Sequence, residues 1–560
     1  MLEAVAAVCP ELLPFALASY GTPSKLWLGD ETLSSDEGVQ QGDPLGPLLF
    51  CLTIQPLLTG CKCEFVTGYL DDVGLGDTVQ TLIDRVHVLE AEAASLGLSL
   101  NHAKCEVVGL AQSQLSTWHN SGLNFAITIT REVCLLGASL SSEGVEEALR
   151  AKEAQLREVI PRLTKPGSHE AFYLLKSCFA IPRLQYLLRC TPAFASSTLE
   201  DLAVTVKDAL SSILNIQLGD EAWSQASLPI RWGGLGVRNV APLAVSAFLS
   251  SLHASENLAR VILPPSIFTM PDPQSQVATA VWLQRGGVSL PQGDDTVKQR
   301  AWDEAICSAT YDQLLTRADQ SSRARLLAVA SPNAGAWLHA LPCRNLGLCL
   351  SDRELRIAIG LRLGAPLVRR HTCVCGAVVD ALGLHGLSCR RSAGRQRRHA
   401  QANDVLIRAI RAADVQAELE PRLLFRDDGK RPDGATLDPW SRGLPLVWDF
   451  TCPDTLAPSH VAQSSNTAGS AASKAEQNKR SKYAQLVSAN NVLFAPVAIE
   501  SLGTWGTSAT DLCRDIGARL SALTGDPRSH SFLVQRLGLA VQKGNAASVA
   551  GTHPLGDVLQ

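Results

Sequence analysis

Asp71 and Asp72 are adjacent carboxylates set in the apolar segment around Tyr69-Leu70-Asp71-Asp72-Val73. Apolar residues on both sides predict a strand, a tight turn and a second strand, with the acids at the turn. Carboxylate oxygens presented together can hold divalent cations. Two-metal phosphoryl transfer needs such a pair to set Mg²⁺ against a phosphate and an attacking hydroxyl. A lone Asp-Asp is more often a solvated hairpin tip, so its surroundings must decide. Upstream lies Gln40-Gln41-Gly42-Asp43-Pro44, followed by an apolar run to Phe50. Here a loop is expected to become a helix, with Asp43 as its cap and Pro44 in its first position. Gly42 would let another backbone or a nucleotide approach closely.

A second group of residues lies further along. Cys373-Val374-Cys375, His385 and Cys389 supply three thiols and an imidazole, the donor set of a closed, structural Zn²⁺ site. His371 and His399 are alternative ligands. The Cys61-Lys62-Cys63 pair has no such neighbours and reads as buried thiols. Between Ser351 and Arg411 there are 12 arginines, no lysine and 4 acids, a footprint suited to phosphate or else a solvated helix face. Within it, Arg395, Arg397 and Arg398 are the expected phosphate contacts. Next come Lys430-Arg431-Pro432-Asp433-Gly434, an apolar strand expected over Leu444 to Val447, and Trp448-Asp449-Phe450-Thr451. Asp433 follows a proline and Asp449 ends an apolar run, so both can sit at strand ends on one sheet edge. Hard oxygens in such a place suit Mg²⁺ or Mn²⁺.

The elements that must position these residues are those of an α/β multi-domain chain. Its 560 residues suggest three to four domains, and 46% hydrophobic with 19% charged residues is ordinary globular composition. The net charge of −4 argues against a chain that is basic throughout. Met1 to Pro14 has an acid at its third position and no basic stretch, so no signal peptide is expected. The longest apolar stretch, Val240 to Leu252, is too short to span a bilayer, and no membrane partner is expected. The 16 cysteines then read as reduced thiols or metal ligands inside a cell. Helical periodicity is expected at Leu82 to Leu96, from Glu146 to about Asn239, over 295–365 with a break at Ser331-Pro332-Asn333, and over 474–489. A proline-rich linker is expected from Leu263 to Pro273, and a β run at Val492 to Ile499.

The order of the first two motifs resembles reverse transcriptases of non-LTR retrotransposons, as do two further segments. Gly97-Leu98-Ser99-Leu100-Asn101-His102-Ala103-Lys104 is similar to the stretch whose lysine lies near the leaving pyrophosphate, and Leu136-Gly137-Ala138-Ser139-Leu140 to the primer grip. The resemblance implies that Gln41, Gly42, Asp43 and Pro44 face template and incoming nucleotide. It also implies that Asp71 and Asp72 hold Mg²⁺, with Lys104 near the leaving pyrophosphate. It expects a partial palm over 1–145, a helical thumb over 146–262 and a linker and helical region over 263–366. The family's palm carries a third metal-binding aspartate upstream of the glycine loop. Before Glu37 there are only Asp30 and Asp36, in no matching setting. The chain alone is therefore expected not to polymerise. The later cluster resembles the zinc knuckle and PD-(D/E)xK-type endonuclease of site-specific retrotransposons. This implies a knuckle and basic segment over 367–411 and a nuclease domain over 412–560, with Asp433 and Asp449 on metal. The lysine that family places two residues after the second acid is replaced by Thr451. Lys479 or Lys482, three apart on one predicted helix face, are its substitutes, with Lys479 ranked first. The implied partners are an RNA template, target DNA and deoxynucleoside triphosphates, in an intracellular and nuclear setting. The expected function is DNA nicking followed by RNA-directed extension from the freed 3′-OH. The alternative is a degenerate, nucleic-acid-binding derivative of such an element.

Overall fold

The computed structural model describes residues 1–128, 133–263, 268, 272–392, 394–421 and 431–553. Lys430, most of the proline-rich linker and the last residues of the chain lie outside them. The chain divides into two compact units, Met1–Leu135 and Leu136–Gln560.

In the first unit, α1 (Leu2–Val8), α2 (Leu13–Tyr20) and α3 (Gly46–Gly60) gather around Val5, Ala16 and Leu49. Between α2 and α3 runs an antiparallel ribbon of β1 (Ser24–Leu28) and β2 (Glu31–Ser35). β3 (Phe65–Tyr69) and β4 (Asp72–Gly76) form a second ribbon with Tyr69 opposite Asp72. α4 (Val79–Ser95) starts slightly earlier than its periodicity predicts, because Thr78 caps it by accepting from the Thr81 backbone N–H. Ile83, Val86, Leu89 and Ala93 mark its buried face, which joins a small core with Val107 and Trp118. β5 (Glu106–Val108) and β6 (Ala126–Thr128) pair in parallel, with the short helix α5 (Leu115–His119) between them.

The second unit begins with the expected helical stretch: α6 (Ser142–Leu163), α7 (Ser168–Leu174), α8 (Ile181–Cys190), α9 (Thr198–Leu214) and α10 (Asp220–Ala226). The Arg231-Trp232-Gly233-Gly234-Leu235-Gly236 segment is a tight loop. A Cβ on Gly234 would lie 2.0 Å from the Leu228 carbonyl oxygen, so only glycine fits there. α11 (Val240–Ile262), α12 (Pro273–Gln284), α13 (Gln299–Arg317), α14 (Gln320–Val329) and α15 (Asp352–Leu363) complete the helical part. Then come β7 (His371–Thr372) and β8 (Val378–Val379), paired antiparallel, and α16 (His385–Ser388).

The last part alternates differently. α17 (Gly394–Ala412) leads into β9 (Ala417–Leu419), β10 (Gly434–Thr436) and β11 (Leu446–Thr451). α18 (Val461–Ser464) and α19 (Ser470–Asn490) follow, then β12 (Leu493–Ala498), α20 (Thr507–Thr524) and α21 (Ser529–Ala550). The four strands form one sheet in the order β9-β10-β11-β12, antiparallel except for the β11–β12 pair. A parallel pair cannot be joined by a hairpin, which is why α18 and α19 cross over between β11 and β12. β11 is buried almost throughout and extends through Asp449 to Thr451, longer than its apolar run predicts.

Residues 136–560, over which thumb, linker, knuckle and nuclease regions are expected, form one compact unit. α21 is the reason. Its Leu539 joins the core of residues 156–365, Leu537 and Val541 join the core on the sheet, and Ala546 and Val549 join a third cluster with Ile357 and Leu387. A helix apolar on nearly every side must be surrounded, and it draws these regions around itself.

Candidate functional site

The β3–β4 ribbon carries Asp71 and Asp72 at its tip, both exposed. The turn is Leu70-Asp71, and Leu70 has φ +55°. A left-handed leucine is unusual and costs about 1 kcal/mol or more. Such strain gathers at functional sites. α3 packs its Leu58 over Gly68, next to the turn. The glycine loop differs from the expected cap: α3 begins at Gly46, with Pro47 rather than Pro44 in its first turn. Asp43 instead closes the turn before it, its Oδ1 accepting from the Leu45 N–H at 2.9 Å and its carbonyl from the Gly46 N–H at 3.0 Å. The Tyr20 hydroxyl donates to the Asp43 carboxylate and holds it below the usual range. Gly42 has φ +93° with open space where a side chain would stand. Gln41 and Lys104 are exposed, Lys104 on a short 3-10 turn beside the His102–Glu90 pair. Leu136 and Gly137 both have positive φ, as a tight turn requires, and the Leu136 carbonyl accepts from the Tyr186 hydroxyl. Cys61 and Cys63 are only half buried, with their sulfurs 3.7 Å apart.

Cys373, Cys375, His385 and Cys389 bring one ligand atom each within 4.8 Å of one another. Cys373 Sγ lies 3.8 Å from Cys389 Sγ, and Cys375 Sγ 3.1 Å from His385 Nε2. Zn–S bonds of about 2.3 Å at tetrahedral angles separate two sulfurs by roughly 3.8 Å, so the donors fit zinc in chemistry and spacing. The β7–β8 ribbon presents the first two thiols and α16 the imidazole. The alternative histidines lie elsewhere. His371 pairs with the Arg369 carbonyl and the Thr552 hydroxyl, and His399 faces Asp433.

Asp433 immediately precedes β10 and Asp449 lies on β11. Because Gly434 stands opposite Trp448, the two carboxylates fall on adjoining positions of neighbouring strands. Asp449 is 2% exposed and carries the Lys479 ammonium on its Oδ1. Asp433 Oδ2 accepts from the Phe450 N–H at 2.6 Å and from Asn403 Nδ2 at 3.1 Å, and lies 2.9 Å from His399 Nε2. Burial works against the Asp433 charge, yet these donors, His399 foremost, hold its carboxyl below the usual range. Through the same contact Asp433 raises the His399 imidazole. Lys482 takes a different role from Lys479. It is exposed, its ammonium 4.8 Å from the Tyr483 ring centre and 3.3 Å from the Tyr483 hydroxyl.

Beside the acids opens a cleft of about 470 Å³, lined by Arg390, Arg395, Arg398, His399, Thr451 and Lys479 among others. The arginine block therefore shares this cleft with His399 and Lys479, the partners of the two carboxylates. Its members differ, however. Arg395 is exposed, whereas Arg397 lies 3.6 Å from Glu354, and Arg398 is 2% exposed and donates to Asn545 Oδ1 at 2.6 Å. Arg398 is held by the fold and is not the free phosphate contact expected. His399 and Asn403 are the site residues that sequence reasoning missed. The signal was a pair of polar residues one turn apart on the inner face of an amphipathic helix.

Residues 10–139 match the family model described as reverse transcriptase (RNA-dependent DNA polymerase). The first unit, with its exposed aspartate pair at a strained hairpin, is thus similar to a reverse transcriptase domain. Over 505 residues the chain is 24% identical to the retrotransposable element SLACS 132 kDa protein of Trypanosoma brucei gambiense, covering 87% of this chain and 37% of that protein. The chain thus spans little more than a third of that relative's length. No helix among the described residues is long and apolar enough to cross a membrane.

Proposed function

We propose that this chain is part of a non-LTR retrotransposon protein that nicks target DNA and copies RNA from the freed 3′-OH. In this reading Asp71 and Asp72 hold Mg²⁺ for nucleotide transfer, with Lys104 and the Gln41–Pro44 loop serving the incoming nucleotide and the template. The Cys373, Cys375, His385 and Cys389 cluster holds a structural Zn²⁺. The region around β9–β12 is a restriction-like endonuclease in which Asp433 and Asp449 hold Mg²⁺ or Mn²⁺. Lys479 then steadies charge on the attacked phosphate. Such a protein would work on chromosomal DNA, hence in the nucleus.

The observation that carries the endonuclease part is the meeting of Asp433, Asp449, Lys479 and an arginine-lined cleft from four separate stretches of sequence. When loaded, the cation supplies Lewis acidity and a nucleophilic water. The chain's own residues do the rest. Arg390 and Arg395 attract the backbone phosphates, and Lys479 faces the phosphate from the carboxylate side. The test is nicking of supercoiled plasmid with Mg²⁺ or Mn²⁺. The parent should nick, and Asp433→Ala, Asp449→Ala and Lys479→Ala should not, while Lys482→Ala keeps activity. A folded parent that nicks with neither metal refutes the assignment. It would leave the alternative, binding without cleavage, which has its own support: both carboxylates already hold a cationic or hydrogen-bonding partner. The polymerase part predicts that any RNA-templated extension is lost in Asp71→Asn.

A further inference from the structure

We propose that His399 is a positioning residue for Asp433: it holds one carboxylate oxygen so that the other, Oδ1, is presented to the divalent cation. The inference rests on the endonuclease reading of this site.

Three donors converge on Asp433 Oδ2. They are the Phe450 N–H at 2.6 Å, Asn403 Nδ2 at 3.1 Å and His399 Nε2 at 2.9 Å. A carboxylate oxygen offers about two lone pairs, so Oδ2 is saturated and a cation must take Oδ1. His399 and Asn403 are one helical turn apart on α17 and point to the same acid. The imidazole tautomer follows from its neighbours. Asn403 Nδ2 lies 3.4 Å from His399 Nδ1, which makes Nδ1 the acceptor and leaves the proton on Nε2 for Asp433. Asn403 is itself fixed, because its Oδ1 accepts from the buried Trp448 indole at 3.0 Å. Trp448 adjoins Asp449 on β11, so one chain of contacts links the orientation of both acids. The ring of His399 stands edge-on to Phe450, with centres 5.9 Å apart. His399 also lines the cleft, so the imidazole that holds Oδ2 borders the space open to substrate.

Outer partners of this kind typically govern metal affinity by 10- to 100-fold. The experiment titrates Mn²⁺ into the full chain, pre-loaded with Zn²⁺ and carrying Asp71→Asn and Asp72→Asn to remove the first unit's proposed cation site, and follows free Mn²⁺ by electron paramagnetic resonance; this chain is the parent. The parent should bind Mn²⁺ and Asp433→Asn should lose that binding. His399→Ala should weaken it about tenfold or more, with His399→Gln in between because its amide can still donate. The His399 side chain is 46% exposed, so His399→Ala should keep the parent's far-ultraviolet circular dichroism, and its Mn²⁺ affinity is read on a folded chain. Equal Mn²⁺ affinity in the parent and His399→Ala overturns the proposal, as does a parent that binds no Mn²⁺. Nicking is read separately. A parent that binds Mn²⁺ in this His399-dependent way but cuts no DNA refutes the endonuclease reading and leaves the assignment of His399 standing.

Discussion

Replacing Lys479 by methionine should both abolish nicking and destabilise the second unit. The side chain of Asp449 is 3% exposed and that of Lys479 22%. Methionine keeps most of the lysine stem's packing but strands a buried carboxylate. Removing one partner of a buried pair costs about 3–5 kcal/mol, and the partial exposure of Lys479 argues for the lower end, about 3 kcal/mol. Residues 136–560 form the unit that must unfold. At about 2.1 cal/mol/K per residue its unfolding entropy is roughly 0.9 kcal/mol/K, so the melting temperature should fall by about 3 °C if the unit melts in one step. Scanning calorimetry on Lys479→Met, Asp449→Asn and the double variant measures this. The double variant removes the stranded charge and should recover most of the loss. Saturating Mn²⁺ should also stabilise Lys479→Met, because it supplies the missing cation. A Lys479→Met melt indistinguishable from the parent's, or a double variant no more stable than that single one, would refute the buried-pair argument.

Three further expectations can be checked directly. Metal analysis should find about one zinc per chain, and Cys375→Ser should lose it; unchanged zinc content would mean the ligand set is wrong. A Cβ on Gly434 would lie 2.0 Å from the Trp448 ring, so Gly434→Ala should destabilise by about 1–3 kcal/mol and displace both acids, seen as a lower melting temperature together with lost nicking. His169 is 2% exposed and accepts the Leu350 N–H on Nδ1 at 3.0 Å; burial pushes its imidazole down to about 4. The unfolded chain therefore takes up a proton near pH 6.5 that the folded chain refuses until about pH 4. The stabilisation is present above pH 6.5 and lost as pH falls through that window, up to roughly 3 kcal/mol at 1.36 kcal/mol per unit. His169→Gln should flatten this part of the stability profile in denaturant titrations, and an unchanged slope would show that another group carries it.

Local chemistry was legible in the sequence where neighbours along the chain decide it. The strand-turn-strand around Asp71 and Asp72 follows from apolar residues flanking two acids, and the helices from their periodicity. The Cys373-to-Cys389 cluster closes over so short a loop that spacing alone brings the ligands near. Where the chain must choose among distant partners, sequence pattern was silent. Nothing local distinguishes Lys479 from Lys482 on one helix face. In the fold β11 sets the buried Asp449 against Lys479, while Lys482 lies by the Tyr483 ring. Arg398 and Arg395 look alike in the sequence, yet α21 brings Asn545 to one and leaves the other exposed in the cleft. His399 read as a spare zinc ligand until α17 turned it toward Asp433. In each case the deciding contact spans tens of residues or more along the chain, and its energy comes from burying α21 and the sheet. Only the packed structure supplies that burial.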